Sequence, residues 1–180
     1  MNTTEKRAGL VTGVFTTRED AERAYNSLVE KGYKEDEITV LMSDETRDTQ
    51  FKQDHEEGHD TKLGNKSMEG AGAGSAIGGT AGAIIGAIAA AGISVALPGL
   101  GIVLAGPLAG ALAGAGAGGL TGGLIGALVG AGIPEERAKV YKDHIKEGNI
   151  VIGVEPRDRN DATTIGKDWE EQYRGQEVHY

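Results

Sequence analysis

Two histidines and a glutamate near residue 55 have the spacing of a zinc hydrolase. The segment His55-Glu56-Glu57-Gly58-His59 matches H-E-x-x-H, in which one helix face presents two imidazole ligands and the glutamate acts as a base. The surrounding segment is polar, Gly58 interrupts the motif, and His144 and His179 are the only other histidines. The sequence therefore indicates neither a third ligand nor a dry cleft, and we predict no metal site.

A second pattern, G-x-G-x-x-G at residues 114–119, is typical of dinucleotide-binding proteins. There it follows a strand, opens a helix and is followed by an acidic residue about 20 positions later. Here it lies within a longer series of glycines, with no strand predicted before it. The carboxylates fall at predicted helix starts and on solvated faces, and the chain has no cysteine. We therefore predict no cofactor, no catalytic residue and no enzymatic activity.

The most informative feature is a stretch of 65 residues, 70–134, without Asp, Glu, Lys, Arg or His, which holds 21 of the 30 glycines. Its glycines recur at every fourth residue, a spacing that places them on one helix face and allows another backbone to approach closely. We predict that these glycines form a self-association surface. They are Gly70, Gly74, Gly78, Gly82, Gly86, Gly106, Gly110, Gly114, Gly118, Gly122, Gly126 and Gly130.

The uncharged stretch is predicted to fold as a long apolar helical hairpin over residues 69–133. One helix would cover 69 to about 92, the chain would reverse at Pro98-Gly99, and a second helix would run from Pro107 to about Gly130. Leucines lie two residues out of phase with the glycines, on the opposite face of the second helix. They are Leu104, Leu108, Leu112, Leu120, Leu124 and Leu128.

The segments on either side of the hairpin are predicted to fold together as one small α+β domain. Residues 1–43 read as strand, helix and strand, with a capping box that starts the helix at Thr16. Residues 44–68 are polar and read as a linker or a weakly ordered helix. Residues 134–180 begin with a helix at Pro134, followed by a strand, a helix capped by Asn160 or Asp161, and a short last strand. This order predicts a ferredoxin-like split β-α-β sandwich, interrupted by the glycine-zipper hairpin.

Several of these segments resemble the bacterial general stress protein family with a heat-induced stress protein domain. The first half matches at Val14–Ala24, Leu28, Gly32-Tyr33 and Ile38–Leu41, and the second half at Gly148–Val154. Many members of that family carry a glycine-rich apolar insert between the two halves. The resemblance implies a stress-response context and the same fold, and it implies no catalytic residues.

Charge excludes one class of partner. The formal net charge of −9 lies entirely on the flanking segments, and no basic stripe is present, so we predict no nucleic-acid binding. The first residues lack the apolar segment of a secretion signal, which favours a cytoplasmic location. A lone monomer would expose a large apolar surface, so we expect the chain to bind copies of itself.

Two forms of self-association are open. Each arm of the hairpin has about 23 to 25 residues, enough to cross a bilayer core, and we predict that the hairpin embeds in or remodels membrane lipid from the cytoplasmic side. Glycine and alanine are weakly hydrophobic, so the alternative is a lipid-free cytoplasmic assembly, a filament or shell in which the hairpins form the apolar layer. An enzyme or ligand-binding domain is a third possibility, which nothing in the sequence requires.

Overall fold

A computed structural model describes residues 9–51, 94–97, 101–114, 117–130 and 133–180. Within these ranges the chain has mixed helix and strand content, which confirms the predicted α+β class. The strands are β1 Val11–Phe15, β2 Ile38–Ser43, β3 Ser94–Leu97, β4 Ile102–Ala105, β5 Ile150–Val154 and β6 Gln176–His179. The helices are α1 Arg18–Glu30, α2 Asp44–Gln50, α3 Pro107–Gly114, α4 Ala117–Gly130, α5 Glu135–Lys146 and α6 Arg159–Glu171.

The six strands form one antiparallel sheet in the order β3-β4-β2-β5-β1-β6. Strand β5 lies at its centre and pairs with β1 on one side and β2 on the other. Every residue of β1 and β5 is buried. Strands covered on both faces read as continuous apolar runs, because neither face needs polar side chains. This explains sequences such as Ile150-Val151-Ile152-Gly153-Val154.

One face of the sheet is covered by α1 and α6. The apolar stripe of α1 faces the sheet, since Ala21, Ala24, Tyr25 and Leu28 are all buried there. Trp169 of α6 is also buried in this layer. Its ring stands edge-on to that of Phe15, with the ring centroids 5.5 Å apart. Aromatic pairs favour this geometry, because the positive ring edge meets the negative ring face.

The other face of the sheet is covered by the end of the uncharged stretch and by α5. Leucines of α3 and α4 pack with Leu41 and Val151 of the sheet, and Tyr141 of α5 joins the same cluster. The sheet is therefore enclosed between two helical layers. The buried leucines of this second layer are Leu108, Leu124 and Leu128.

The helical hairpin predicted for residues 69–133 needs correction where the structure describes it. The chain does reverse between Leu97 and Ile102, but the reversal joins strands β3 and β4, which pair with each other and extend the sheet. Leu104 is accordingly a strand residue instead of part of a helical leucine stripe. The predicted helix 69–92 lies outside the described residues. None of the helices in the described ranges combines the length and the apolar character that crossing a bilayer requires.

The second predicted helix begins at Pro107 and ends at Gly130, as expected, but it is not one continuous helix. Gly123 has a non-helical backbone, with φ 59° and ψ −162°, and divides α4. Glycine adopts this conformation without steric strain, so a sequence rich in glycine permits such a break. A single ladder of glycines along one straight helix face is therefore wrong for this part of the chain.

Two helix starts also differ from the prediction by one to three residues. Helix α1 is capped by Thr17, whose hydroxyl accepts a hydrogen bond from the Asp20 amide at 3.2 Å. Helix α6 is capped by Asp158, whose carboxylate accepts from the Asp161 amide at 2.8 Å. In both segments two or more capping residue types stand close together, so the sequence fixes the start of the helix only approximately.

Candidate functional site

The glycines of the predicted association surface fall into three groups. The first series, Gly70 to Gly86, lies outside the described residues. Gly106 belongs to the turn between β4 and α3. The remaining glycines belong to the two helices: Gly110 and Gly114 to α3, and Gly118, Gly122, Gly126 and Gly130 to α4.

Three of the helical glycines face open space. A methyl group placed on Gly110, Gly126 or Gly130 would meet no described atom within 4 Å beyond the backbone of its own helix. Gly126 and Gly130 are exposed, and Val129 beside them keeps 42% of its surface exposed. The described part of the chain thus leaves an uncharged surface at the end of α4. We call the exposed Gly126, Val129 and Gly130, together with the half-buried Gly110 of α3, the glycine surface.

Three leucines of the same helices are buried, as their two-residue offset from the glycines predicts. Leu108 is 8% exposed, and Leu124 and Leu128 are each 2% exposed. They pack into the core between the helices and the sheet, so the chain itself provides their apolar surroundings. Over residues 124–130 the glycine side of α4 is therefore the outward one.

Gly106 differs from these glycines because its environment is entirely intramolecular. Its φ of +88° lies in the left-handed region, which side chains with a Cβ atom rarely adopt. A methyl group placed on it would overlap the carbonyl oxygen of Ile38 and would lie 2.9 Å from the Thr39 Cα. The chain needs glycine here so that the turn can pass close to β2. Gly106 thus has a sufficient structural role without an intermolecular contact.

A buried hydrogen bond connects α5 to the sheet. The hydroxyl oxygens of Tyr141 and Thr12 are 2.5 Å apart, and Thr12 is 3% exposed. Burial raises the pKa of Tyr141 above its ordinary value of 10.0. The neutral phenol is therefore the form that fits this site. Nearby in β6, burial first and the charge of Arg137 second lower the pKa of His179 below 6.5. Tyr141, Thr12 and His179 thus lie where helix α5 meets strands β1 and β6.

A second polar group joins the end of α1 to the start of α6. The Arg157 guanidinium donates hydrogen bonds to the carbonyl oxygens of Lys31 and Gly32, at 3.0 and 2.9 Å, and lies 4.5 Å from the centre of the Tyr33 ring. The Tyr33 hydroxyl donates to the Asp161 carboxylate. Burial and this hydrogen bond raise the pKa of Tyr33 to about 12. Because these contacts satisfy carbonyls at the helix end, the group reads as a structural clamp.

A pocket of about 510 Å³ opens beside the start of β2. The carboxylate of Glu37 in its wall accepts a hydrogen bond from the backbone amide of Lys34, at 2.8 Å, and so closes a short 3-10 turn. Among its described lining residues no nucleophile is paired with a base. These residues are Leu10, Asp36, Glu37, Thr39, Pro107, Leu108, Glu155 and Pro156.

Neither of the two motifs that could support catalysis or cofactor binding forms a site among the described residues. His55–His59 lies outside the described residues. The G-x-G-x-x-G pattern begins at Gly114, the last residue of α3, and continues into α4, so it does not open a helix after a strand as a dinucleotide fingerprint does. Within the described residues, no group of three or more His, Cys, Asp or Glu side chains is arranged to hold a metal ion.

Comparison of the chain with protein-family models, with curated proteins and with solved structures found no match. The class that the described residues define is an α+β protein, in which six strands form one antiparallel sheet. The resemblance to the general stress proteins stays a prediction.

Sequence reasoning missed three features of this region. It did not predict the pairing of β3 with β4, the structural role of Gly106, or the burial of the leucines within the same chain. One signal was present, because Ile102-Val103-Leu104 combines β-branched and apolar residues before a glycine and a proline. Such a short run does not by itself distinguish a strand from a helix.

Proposed function

We propose that this protein is a non-enzymatic, self-associating protein of the stress response, and that copies meet through the glycine surface of α3 and α4. The observation that carries the proposal is the orientation of these helices. Gly126 and Gly130 are exposed and Gly110 is half-buried, each with open space at its Cβ position, whereas Leu108, Leu124 and Leu128 of the same helices are buried. The stress context is supported only by the resemblance of the flanking segments.

The energetic argument concerns glycines that the monomer does not need. Glycine in a helix costs about 1 kcal/mol relative to alanine. Alanine would fit at Gly110 and Gly126, which lie inside their helices, so these two positions together forgo about 2 kcal/mol of helix stability without a steric reason among the described residues. A backbone of another copy packed against these positions would supply such a reason, because small residues allow close helix contact.

The lipid-free form of the proposal has the stronger support. Leu108, Leu124 and Leu128, which a membrane hairpin would turn towards acyl chains, are buried against the sheet. Their burial removes the main apolar surface that would favour insertion of this part of the chain. Membrane embedding is therefore an outcome that the experiment below separates from self-association in water.

For the fold of the carrier domain we propose the ferredoxin-like layout. Two arguments support it. The strands β2-β5-β1-β6 stand in the order that two interleaved β-α-β units produce, and helices α1 and α6 pack on one face. The β3–β4 hairpin would then be an extension of the sheet beyond β2, and α3, α4 and α5 would be a second layer on the face that such sandwiches commonly leave open.

The test is the size of the purified full chain in detergent-free buffer, followed by sedimentation across a concentration series. We expect an oligomer, and we expect Gly126→Leu to reduce its size or weaken it at least tenfold, because a leucine side chain would block close approach. Thr163→Leu, on the exposed side of α6, is the matched control and is expected to leave assembly unchanged.

Two results would contradict the proposal. A wild-type chain that is monomeric at every concentration would remove self-association altogether. An oligomer that Gly126→Leu leaves intact would remove the glycine surface as its contact. Flotation with vesicles of neutral and anionic lipid is the companion measurement, because co-flotation of the wild-type chain would favour the membrane form over the lipid-free form.

A further inference from the structure

The two edges of the sheet differ in how well they are protected against pairing with another strand. At one edge, β6 contains Glu177, whose φ of 47° is unusual for a residue with a side chain, and its pairing with β1 shifts register between Thr12 and Val14. A charge, a bulge and an irregular backbone are the devices by which natural proteins block edge-to-edge pairing. The β6 edge is therefore protected against pairing with a strand of another molecule.

The opposite edge, β3, has none of these devices. It is the four-residue strand Ser94–Leu97, without a charge or a proline, and it pairs with β4 in unbroken register from Ser94↔Ala105 to Leu97↔Ile102. No strand of the described ranges pairs with its outer side. A regular, uncharged strand with an open side presents a row of backbone donors and acceptors to another strand.

We propose that β3 is a docking edge for β3 of a second copy of this chain, so that two sheets join into one across a two-fold axis. The absence of charge on β3 is the reason for choosing a second copy of the chain as the partner. The chain has a formal net charge of −9, and β3 lies in the stretch 70–134, where no residue is charged. Two copies can therefore approach along β3 without placing strand carboxylates opposite each other, whereas pairing at β6 would bring two copies of Glu177 together.

The symmetry of the contact limits its register to two possibilities. Opposed residues of an antiparallel pair point their side chains to the same face, so a two-fold axis between identical strands places a residue opposite its own copy. Centred on Val95, the contact pairs Ser94 with the partner's Ala96; centred on Ala96, it pairs Val95 with the partner's Leu97. Such a contact is isologous and closes as a dimer, so it does not propagate into a fibre by itself. It uses a surface different from the glycine surface and goes beyond the function proposed above. A chain with both contacts would form larger assemblies than a dimer.

The experiment uses the absence of cysteine from the chain. Full-length Val95→Cys and Ala96→Cys proteins are each exposed alone to a mild oxidant. Opposed residues of an antiparallel pair lie within disulfide reach, and only the residue on the two-fold axis lies opposite its own copy, so we expect one of the two proteins to yield a covalent dimer several-fold faster than the other. A mixture of Ser94→Cys with Ala96→Cys tests the register centred on Val95, and a mixture of Val95→Cys with Leu97→Cys tests the register centred on Ala96. Gln176→Cys on β6 is the matched control, for which we expect no rapid cross-link.

A second variant tests the same edge without cross-linking. Val95→Lys places a charge on the strand and is expected to weaken dimerisation at least tenfold, whereas Gln176→Lys on β6 is expected to leave it unchanged. Near-ultraviolet circular dichroism of the buried Trp169 reports whether the variants are folded. If Val95→Lys does not fold, the cysteine variants still decide the question.

The outcomes separate this inference from the proposed function. If neither Val95→Cys nor Ala96→Cys cross-links faster than Gln176→Cys, pairing at β3 is overturned, whether or not an oligomer exists. If the oligomer then responds to Gly126→Leu, the glycine surface stands alone. If one of the two β3 variants cross-links rapidly and Gly126→Leu has no effect, the sheet edge is the contact and the glycine surface is not.

Discussion

Replacement of Gly106 by alanine distinguishes a glycine required within the chain from one reserved for a partner. The spacing of four assigns Gly106 to the association surface together with Gly110. The structure instead places it in the turn between β4 and α3, with φ +88° and with the Ile38 carbonyl directly beside the position of a Cβ atom. We expect Gly106→Ala to destabilise the monomer itself.

The magnitude has two parts. An alanine held in the left-handed region costs about 1–2 kcal/mol. The added methyl would also lie 2.8 Å from the Ile38 carbonyl carbon and 2.9 Å from the Thr39 Cα. These are backbone atoms, which cannot rotate away, and overpacking of this kind costs about 1–3 kcal/mol more. The expected loss in the free energy of unfolding is therefore about 2–5 kcal/mol.

Chemical denaturation at a concentration low enough to favour the monomer measures this loss. Gly101→Ala is the matched control, because Gly101 has a φ of +62° but open space around its Cβ position, and it should lose only about 1–2 kcal/mol. Gly110→Ala, in a helix with open space, should gain up to about 1 kcal/mol. If Gly106→Ala loses no more stability than Gly101→Ala, the close approach of Gly106 to β2 is wrong. If Gly106→Ala also weakens assembly while stability is unchanged, Gly106 belongs to the association surface.

Three further predictions concern the polar groups. Tyr141→Phe removes the partner of the buried Thr12 hydroxyl and should lower the free energy of unfolding by about 1–3 kcal/mol, measured by denaturation with Thr12→Val alongside. Arg157→Ala should lose about 1 kcal/mol in the same assay, and Arg157→Lys should not restore it, because an ammonium group lacks the planar fork that spans two carbonyls. The depressed pKa of His179 means that the unfolded chain binds more protons near pH 6, so stability should fall as the pH drops below about 6.5, and His179→Gln should reduce that dependence in thermal melts at stepped pH.

The flanking elements could be predicted because each has a local signal that agrees with its tertiary role. Helix α5 combines Pro134, early acids and the spacing of Ala138, Tyr141 and Ile145, and all three of these side chains are buried. Strand β5 is a continuous β-branched run, as a central strand requires. Gly148, with φ +91°, follows the last turn of α5, a position that favours glycine.

The part that could not be predicted depends on contacts distant in the sequence. Strand β4 is a strand because Leu41 and Leu104, far apart in the chain, lie side by side in the sheet. In a segment of Gly, Ala, Leu and Val, the spacing that suits a helix face also permits a short strand, so local periodicity does not decide between them. The start of α6 was missed for a smaller reason, since Asp158, Asn160 and Asp161 can all act as caps and tertiary packing selects among them.

The absence of charge over residues 70–134 has two different causes in the described ranges. For Ile102, Leu104, Leu124 and Leu128 the cause is burial, because each lies in the core beside the sheet and a charge there would be strongly unfavourable. These positions need neither lipid nor a partner to explain them.

Burial does not account for Gly126, Val129 and Gly130. They are exposed, and a charged or polar residue at any of them would meet no described obstacle and would improve solubility. The same reasoning applies to the backbone of Ser94–Leu97, whose outer side has no partner strand among the described residues. Association should therefore be tested first at these two surfaces, because the described fold leaves the lack of charge there without an internal reason.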